Sequence, residues 1–272
     1  MIGALLALIA SGLYLISATR QWQSLTKRKD SDKSLVMILA LAAVMSHSAS
    51  VANNWISDGG LNLAFFDVGT AIALVISLIV IVSSMKKPLE NLFIGLFPMA
   101  AAVLIASSLN TLLGSNETDQ ITQLSGGLGW HIVLSILAYS IFIISCVQAI
   151  LLYLQDISLK KHNTRGLVQA LPPLQTMDIL LFEMIWVGMA LLSAAFIVSF
   201  PYIEDLRGQH LIHKTTLSAI AWLVFATLLA GRYFYGWRGI IASRWAIVGT
   251  GFLILAYFGS KFVLELLLNR GL

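Results

Sequence analysis

The chain has 272 residues, of which 58% are hydrophobic and only 11% are charged, and its formal net charge is +4. This composition excludes an ordinary soluble globular domain, because soluble domains carry far more charge and shorter apolar runs. The basic residues are scattered among short loops and form no patch, so the excess positive charge does not indicate a nucleic-acid partner. The bilayer is the expected solvent, and membrane lipid is the first expected partner.

A helix needs about 20 apolar residues to cross roughly 30 Å of hydrocarbon, and the sequence offers such runs repeatedly. The runs are apolar all round and do not alternate as barrel strands would, which predicts helices. We predict an all-α polytopic bundle of about eight transmembrane helices, covering approximately residues 2–18, 34–52, 65–84, 89–109, 130–154, 179–200, 212–230 and 242–268. No linker, soluble domain or internal repeat is evident, so residues 1–272 are expected to form a single transmembrane domain.

The first span has no basic residue before its apolar core, so we expect a retained helix and not a cleaved signal. Basic residues then fall in alternate loops, and loops rich in Lys and Arg face the cytoplasm. These residues are Arg20, Lys27, Arg28, Lys29, Lys33, Lys86, Lys87, Lys160, Lys161, Arg165, Arg232, Arg238 and Arg244. Both termini are therefore predicted on the outer, periplasmic side of a bacterial inner membrane. Five tryptophans flank spans and are interpreted as interfacial anchors: Trp22, Trp55, Trp130, Trp237 and Trp245.

Four of the five histidines approach the outer face under this topology. His131 opens the fifth span, and His210 and His213 lie three residues apart at the start of the seventh, where they share a helix face. His47 is about 14 residues into the second span, or roughly 20 Å across the membrane, and so belongs to the outer third. His162, in a predicted cytoplasmic loop, is the exception.

An imidazole in hydrocarbon is costly unless it is paired, so intramembrane histidines are candidate functional residues. Histidines on facing helices inside an apolar wall suit a haem iron with two axial ligands. We predict His131 and His213 as metal ligands, with His210 and His47 as further haem-binding candidates. Lys214 is the predicted cation beside a haem propionate.

The rest of the sequence excludes some types of metal site. Cys146 is the single cysteine and lies in mid-span, which excludes a thiolate cluster and a CxxCH haem-attachment motif. The expected haem is therefore b-type and non-covalent, with Arg207 or Lys261 as additional cations near its propionates. Zinc is an alternative, but no HExxH motif or carboxylate cluster supports hydrolysis. No catalytic residue is predicted.

Two rival functions remain open at this point. Histidines at helix ends often reach only interfacial water, which would leave a non-haem membrane scaffold or a regulator of a partner protein. A small-solute transporter is the other alternative, because Asp67, Glu183 and Lys261 are ionisable residues within or beside spans. Lys261 and Glu265 form an i, i+4 pair that is commonly self-neutralising. No pair of broken helices in two inverted halves supports transport.

Several segments resemble the cytochrome c assembly (CcsA-like) family. The histidine-led helix of that family is similar to residues 130–140, WHIVLSILAYS. Its last two helices are similar to the stretch from His210 through His213-Lys214-Thr215 to Trp222, and to GWRG at 236–239 and AYFGSKF at 256–262. The likeness is greatest to the short YpjD/HemX-like branch, and it is strong over the C-terminal half of the chain.

The resemblance implies haem handling in the membrane, with haem presented at the outer face. It implies that His131 matches the family's external haem-ligating histidine and that His47 acts as a histidine within the membrane. The tryptophan-rich WWD loop of the haem-attaching synthetases is absent, because residues 208–214 read GQHLIHK where it should end. The resemblance therefore implies haem-pathway or cytochrome c maturation proteins as partners, but no complete synthetase activity.

Overall fold

The structure is a computed structural model that describes residues 2–27, 33–57, 60–113, 121–122, 126–161, 171–200, 212–259 and 262. Its main helices are α1 (Ile2–Lys27), α2 (Lys33–Trp55), α3 (Phe65–Ser84), α4 (Phe93–Leu112), α5 (Gly126–Lys160), α6 (Leu174–Ser199), α7 (Ile212–Tyr235) and α8 (Ile240–Ile254). A 3-10 turn at Glu90–Leu92 precedes α4, and a π turn at Leu255–Gly259 extends α8.

Three short strands lie in the connections between helices. They are β1 (Ile56–Ser57), β2 (Gly60–Asn62) and β3 (Ile121–Thr122), and they pair antiparallel in that order. The register sets Ile56 opposite Leu61 and Leu61 opposite Thr122. Strands of two or three residues leave the all-α class unchanged.

The predicted bundle is confirmed, because eight helices in the described ranges are long and apolar enough to cross a membrane. Some ends differ from the prediction. α1 continues to Lys27 and α5 spans 35 residues, because the polar residues beyond the apolar runs are compatible with a helix. The predicted eighth span was 242–268, whereas the described chain leaves α-helical geometry after Ile254 and residues 263–272 lie outside the described part. The outward orientation of both termini stays a prediction.

The helices pack into two compact units of four helices each. The first unit comprises Met1–Gln123 with Arg165–Leu171, and the second comprises Leu124–Thr164 with Pro172–Leu272. In the first unit, α1 and α3 each pack against both α2 and α4. In the second, α5 and α7 each pack against both α6 and α8. Both units are therefore closed four-helix rings with the same order of neighbours, and the expected single domain stays a prediction.

In the first unit, serine hydroxyls join α1 to α2. Ser46 and Ser50 donate to the carbonyl oxygens of Leu6 and Gly3, each over 2.8 Å. Small side chains at the contact let the two backbones approach, as is typical of helices packed in lipid. A helix carbonyl has a second lone pair, so these bonds satisfy the hydroxyls without breaking the helix.

In the second unit, one layer of the core takes one residue from each helix. The rings of Phe142 on α5 and Phe225 on α7 stack with their centroids 4.0 Å apart. Gly188 on α6 lies against the first ring and Gly249 on α8 against the second, and a Cβ added at either glycine would be 2.9 Å or 2.8 Å from the ring. The stacked pair therefore fills the space between two glycines, and neither glycine has room for a methyl group.

From this layer we predict that alanine affects stability differently at two glycines of α8. Gly249→Ala is expected to lower the free energy of unfolding by about 1–3 kcal/mol, because the new methyl group meets the Phe225 ring. Gly251→Ala is the matched control, since a Cβ there meets nothing within 4 Å. It is expected to be neutral or to stabilise by up to about 1 kcal/mol through helix propensity. Unfolding of both variants in detergent measures the difference, and equal stabilities would show that the rings are not confined.

Candidate functional site

His131 is the predicted ligand that the structure describes most fully. It is the sixth residue of α5 and is half-buried. Its Nδ1 lies 3.0 Å from the carbonyl oxygen of Ala195 on α6. Because a carbonyl can only accept, Nδ1 carries the proton and the Nε2 of the neutral ring keeps its lone pair. Metal-binding histidines usually make a hydrogen bond of this kind through the ring nitrogen that does not bind the metal.

The helix around His131 is loosely covered. None of residues 126–137 is fully buried, whereas ten residues from Ala138 to Gln155 are. Polar side chains also occur on the neighbouring helices, where the Trp222 indole of α7 donates to Ser193 Oγ of α6 over 2.9 Å. Ser193 precedes Ala195 by two residues. Among the described residues, this end of α5 is therefore less tightly covered than its middle, and the second unit has both polar and aromatic groups here.

Aromatic rings from the π turn pack onto the same helix. The hydroxyl of Tyr139 donates to the carbonyl oxygen of Leu253 over 2.9 Å. The Tyr139 ring meets Tyr257 of the π turn edge-on, with centroids 6.1 Å apart, and Tyr257 meets Phe258 in the same way at 5.3 Å. Tyr139 is eight residues beyond His131, or about 12 Å along the helix axis. Single π turns often occur at functional sites, and this one supplies an aromatic wall.

His47 has a very different environment in the first unit. Its side chain on α2 is completely buried, and Nδ1 lies 3.2 Å from the hydroxyl of Tyr14 on α1. A backbone group of Thr70 on α3 also interacts with the ring. Nε2 is nevertheless buried without a partner at hydrogen-bonding geometry among the described residues. Because Nδ1 faces Tyr14, the contact with Thr70 falls to Nε2, and its geometry leaves the hydrogen-bonding capacity of this nitrogen incompletely used.

The remaining predicted site residues fall outside what the structure describes. The backbone of His213 and Lys214 belongs to α7, but their side chains are not described. The residues that lie wholly outside the described part are His162, Arg207, His210, Lys261 and Glu265. The predicted meeting of His131 with His213 or His210 therefore stays a prediction. His131 and His47 themselves belong to different compact units.

The other ionisable candidates show no metal-binding cluster. Within the described ranges, no three His, Cys, Asp or Glu side chains lie close enough to hold a metal ion. Asp67 is half-buried in the first turn of α3, and Glu183 is exposed on α6. Cys146 is only partly exposed.

One buried ion pair was missed by the sequence analysis. Asp178, in the second turn of α6, is 6% exposed and lies 2.8 Å from Arg232 at the end of α7. It also accepts a hydrogen bond from the backbone N–H of Gly239 over 2.9 Å. An aspartate beside an apolar run was the available signal, but the sequence does not show which of the many arginines is its partner.

Comparison with known proteins agrees with the fold. The model of the family described as "Cytochrome C assembly protein" matches residues 2–268. Inner membrane protein YpjD of Escherichia coli K12 is 31% identical over 267 residues, which cover 97% of this chain and 98% of the relative. YpjD of Escherichia coli O157:H7 matches to the same extent.

A more distant relative matches part of the chain. It is an uncharacterized 28.8 kDa protein in the nifR3-like 5' region of Azospirillum brasilense, 29% identical over 141 residues, which cover 51% of this chain and 52% of the relative. No solved structure matches the chain. The family model and the YpjD relatives both extend over nearly the whole chain, and the described helices have the lengths that membrane spans require. The chain therefore belongs to the cytochrome c assembly protein family and is a multi-pass protein of the inner membrane.

Proposed function

We propose that this protein binds b-type haem non-covalently near the outer membrane face. In this proposal it carries, presents or regulates haem for cytochrome c-type biogenesis and is not by itself a complete haem-attaching enzyme. Membership of the cytochrome c assembly family supports the biological context. The single observation that carries the haem assignment is the hydrogen bond from His131 Nδ1 to Ala195, which leaves Nε2 available to a metal.

The residues present fit such a ligand in three respects. His131 offers a neutral nitrogen donor, which is a common axial ligand of haem iron. The loosely covered start of α5 is open to a flat ligand, and the rings of Tyr139 and Tyr257 supply apolar surface farther along the helix. The Trp222 indole donates to the Ser193 hydroxyl, so polar groups lie within two residues of Ala195 along α6. When bound, haem would supply the iron, while these residues hold and orient it.

The rest of the ligand set rests on sequence position. His213 or His210 is proposed as the second axial ligand, and Lys214 as the cation beside a propionate. The partners would be haem-pathway or cytochrome c maturation proteins. The absence of a WWD loop in the sequence is the reason for proposing haem carriage or regulation and not attachment.

A structural role for His47 is the second candidate reading, and one observation favours it. The ring is fully buried and its Nδ1 is already paired with Tyr14. A scaffold protein would use such a pair only to fix α1 against α2. The incompletely satisfied Nε2 supports the opposite interpretation, in which His47 is a second or transit ligand for haem. The two interpretations predict different spectra.

The first prediction concerns His131. The protein purified in detergent and supplied with haem should show the Soret and alpha bands of a histidine-ligated haem. His131→Ala should lower haem affinity about tenfold or more and shift the Soret band, because an axial ligand is lost. Added imidazole should restore the band, since it can occupy the vacated coordination position. The absorbance titration measures both effects.

Trp130→Phe is the matched control for that experiment. Trp130 precedes His131 and is 65% exposed, so its replacement should leave the spectrum unchanged. Identical spectra for the wild type and His131→Ala would remove His131 from the ligand set. A wild type that shows only the spectrum of free haem in detergent would instead favour the scaffold.

The second prediction separates the two roles of His47 through a double-mutant cycle. Tyr14→Phe leaves the buried Nδ1 of His47 unpaired and should destabilise the haem-free protein by about 1–3 kcal/mol. His47→Leu should cost less in the Tyr14→Phe background than in the wild type, with a coupling of about 0.5–3 kcal/mol. Unfolding of the four proteins in detergent measures the cycle, and strictly additive costs would show that the pair does not interact.

The same four proteins test the ligand role. A spectral change in His47→Leu that Tyr14→Phe does not share is expected if Nε2 contacts haem. Unchanged haem spectra in both variants would assign His47 to packing alone.

A further inference from the structure

The turn between α7 and α8 has the sequence Gly236-Trp237-Arg238-Gly239, and the proposed haem function makes no use of it. Gly236 and Gly239 have φ values of +66° and +59°, which residues other than glycine adopt only with backbone strain. Gly231 lies under the Trp237 ring, and a Cβ there would be only 2.2 Å from it. Three glycines thus fix the turn and the position of Trp237.

Asp178 holds both ends of this turn. Its carboxylate pairs with Arg232 at the end of α7 and accepts the backbone N–H of Gly239, where α8 begins. Arg232 also donates to the carbonyl oxygen of Trp237 over 3.2 Å and lies 4.4 Å from the centroid of the Phe182 ring. The charge and donors of Arg232 are therefore used inside the protein, and this arginine only supports the turn.

Two other arginines at the same corner are exposed and have no anionic partner among the described residues. Arg238 lies at the tip of the turn, and no described residue makes an ion pair or hydrogen bond with it. Arg244, at the fifth position of α8, lies over the face of Tyr153, with 5.8 Å between the guanidinium carbon and the ring centroid. The nearby Asp156 pairs with Lys160 over 3.2 Å. The corner therefore presents two exposed guanidinium groups that form no ion pair with the described residues.

An aromatic shelf, defined as Tyr233, Phe234, Tyr235, Trp237 and Trp245, adjoins these arginines. The first three side chains are 83%, 72% and 79% exposed. Trp237 stacks between Tyr235 and Trp245, with centroid distances of 6.3 Å and 5.4 Å. Tyrosine and tryptophan in such positions lie at headgroup depth in a bilayer. The shelf thus offers an apolar surface directly beside the two free positive charges.

We propose that this corner binds the headgroup of an anionic phospholipid. Arg238 and Arg244 would contact the phosphate, because a guanidinium offers several donors in a planar fork that suits phosphate oxygens. The aromatic shelf would contact the glycerol and upper acyl region. Basic pockets at the ends of spans bind anionic lipid headgroups in this way. A free phosphate ion would make use of the arginines but not of the shelf, so a lipid is the ligand that matches both.

The test compares binding of phosphatidylglycerol and of phosphatidylcholine with the same acyl chains to the detergent-purified full chain. Native mass spectrometry counts individual lipid adducts as each lipid is titrated. The wild type should prefer phosphatidylglycerol, and the variant that combines Arg238→Ala with Arg244→Ala should bind it about tenfold more weakly. Excess inorganic phosphate should not displace the lipid.

The matched control combines Lys86→Ala with Lys87→Ala. These lysines are exposed in a loop of the first unit. Replacing both removes the same total charge as the double arginine variant, but the affinity for phosphatidylglycerol should change less than about twofold. If both double variants lost the same affinity for phosphatidylglycerol, the effect would come from net charge alone, and the proposed site would be wrong. Displacement by phosphate, or no preference for the anionic lipid, would overturn it as well. If the double arginine variant fails to fold, Arg238→Gln alone replaces it, because it disturbs no described contact.

Discussion

The absence of water from the hydrocarbon core is the constraint on which this structure depends. A polar group there must find its partner inside the protein or remain unsatisfied at a cost of several kcal/mol. Serine and threonine hydroxyls meet this demand by donating to helix carbonyls, as Ser77 does to Ala73 and Thr250 to Ala246. Larger groups do so between helices, as Gln148 of α5 does with the carbonyl oxygen of Met177 on α6. Hydroxyls thus are satisfied largely within their own helix, whereas bonds such as that of Gln148 also hold neighbouring helices together.

Hydrophobic burial cannot distinguish one helix pairing from another in lipid, so shape must do so. In the first unit, small and hydroxylated residues bring α1 and α2 close together. In the second unit, the Phe142 and Phe225 rings fill the space that Gly188 and Gly249 leave open. The two units thus reach the same ring of four helices by different means. This explains why the two halves of the sequence show no evident repeat.

The number and approximate positions of the spans could be predicted, because crossing a bilayer requires long apolar runs that stand out in any composition. Helix ends could not be, since the polar continuation of α1 is as compatible with helix as with loop. The position of His131 at the start of a span was predictable, but its acceptor was not. Ala195 takes part through its backbone, and a backbone carbonyl leaves no trace in residue identity. The Asp178 and Arg232 pair was equally hidden, because long-range pairing depends on how α6 meets α7.

The π turn shows a further limit of sequence interpretation. Nothing in residues 255–259 marks a departure from the α-helix, and the predicted span continued through them. One extra residue per turn shifts every later side chain by about 100° around the axis. Which residues of the last segment share a face with Tyr257 therefore cannot be worked out from α-helical spacing.

The use of a main-chain oxygen to orient His131 has a mechanical consequence. No substitution can delete that acceptor, so only relative displacement of two helices can release the imidazole. A slide of α6 along α5 by two residues, about 3 Å, would stretch the contact from 3.0 Å to about 4 Å, which breaks the bond and frees the ring to rotate. If Nε2 of His131 binds a metal, its affinity would then depend on the position of α6 along α5.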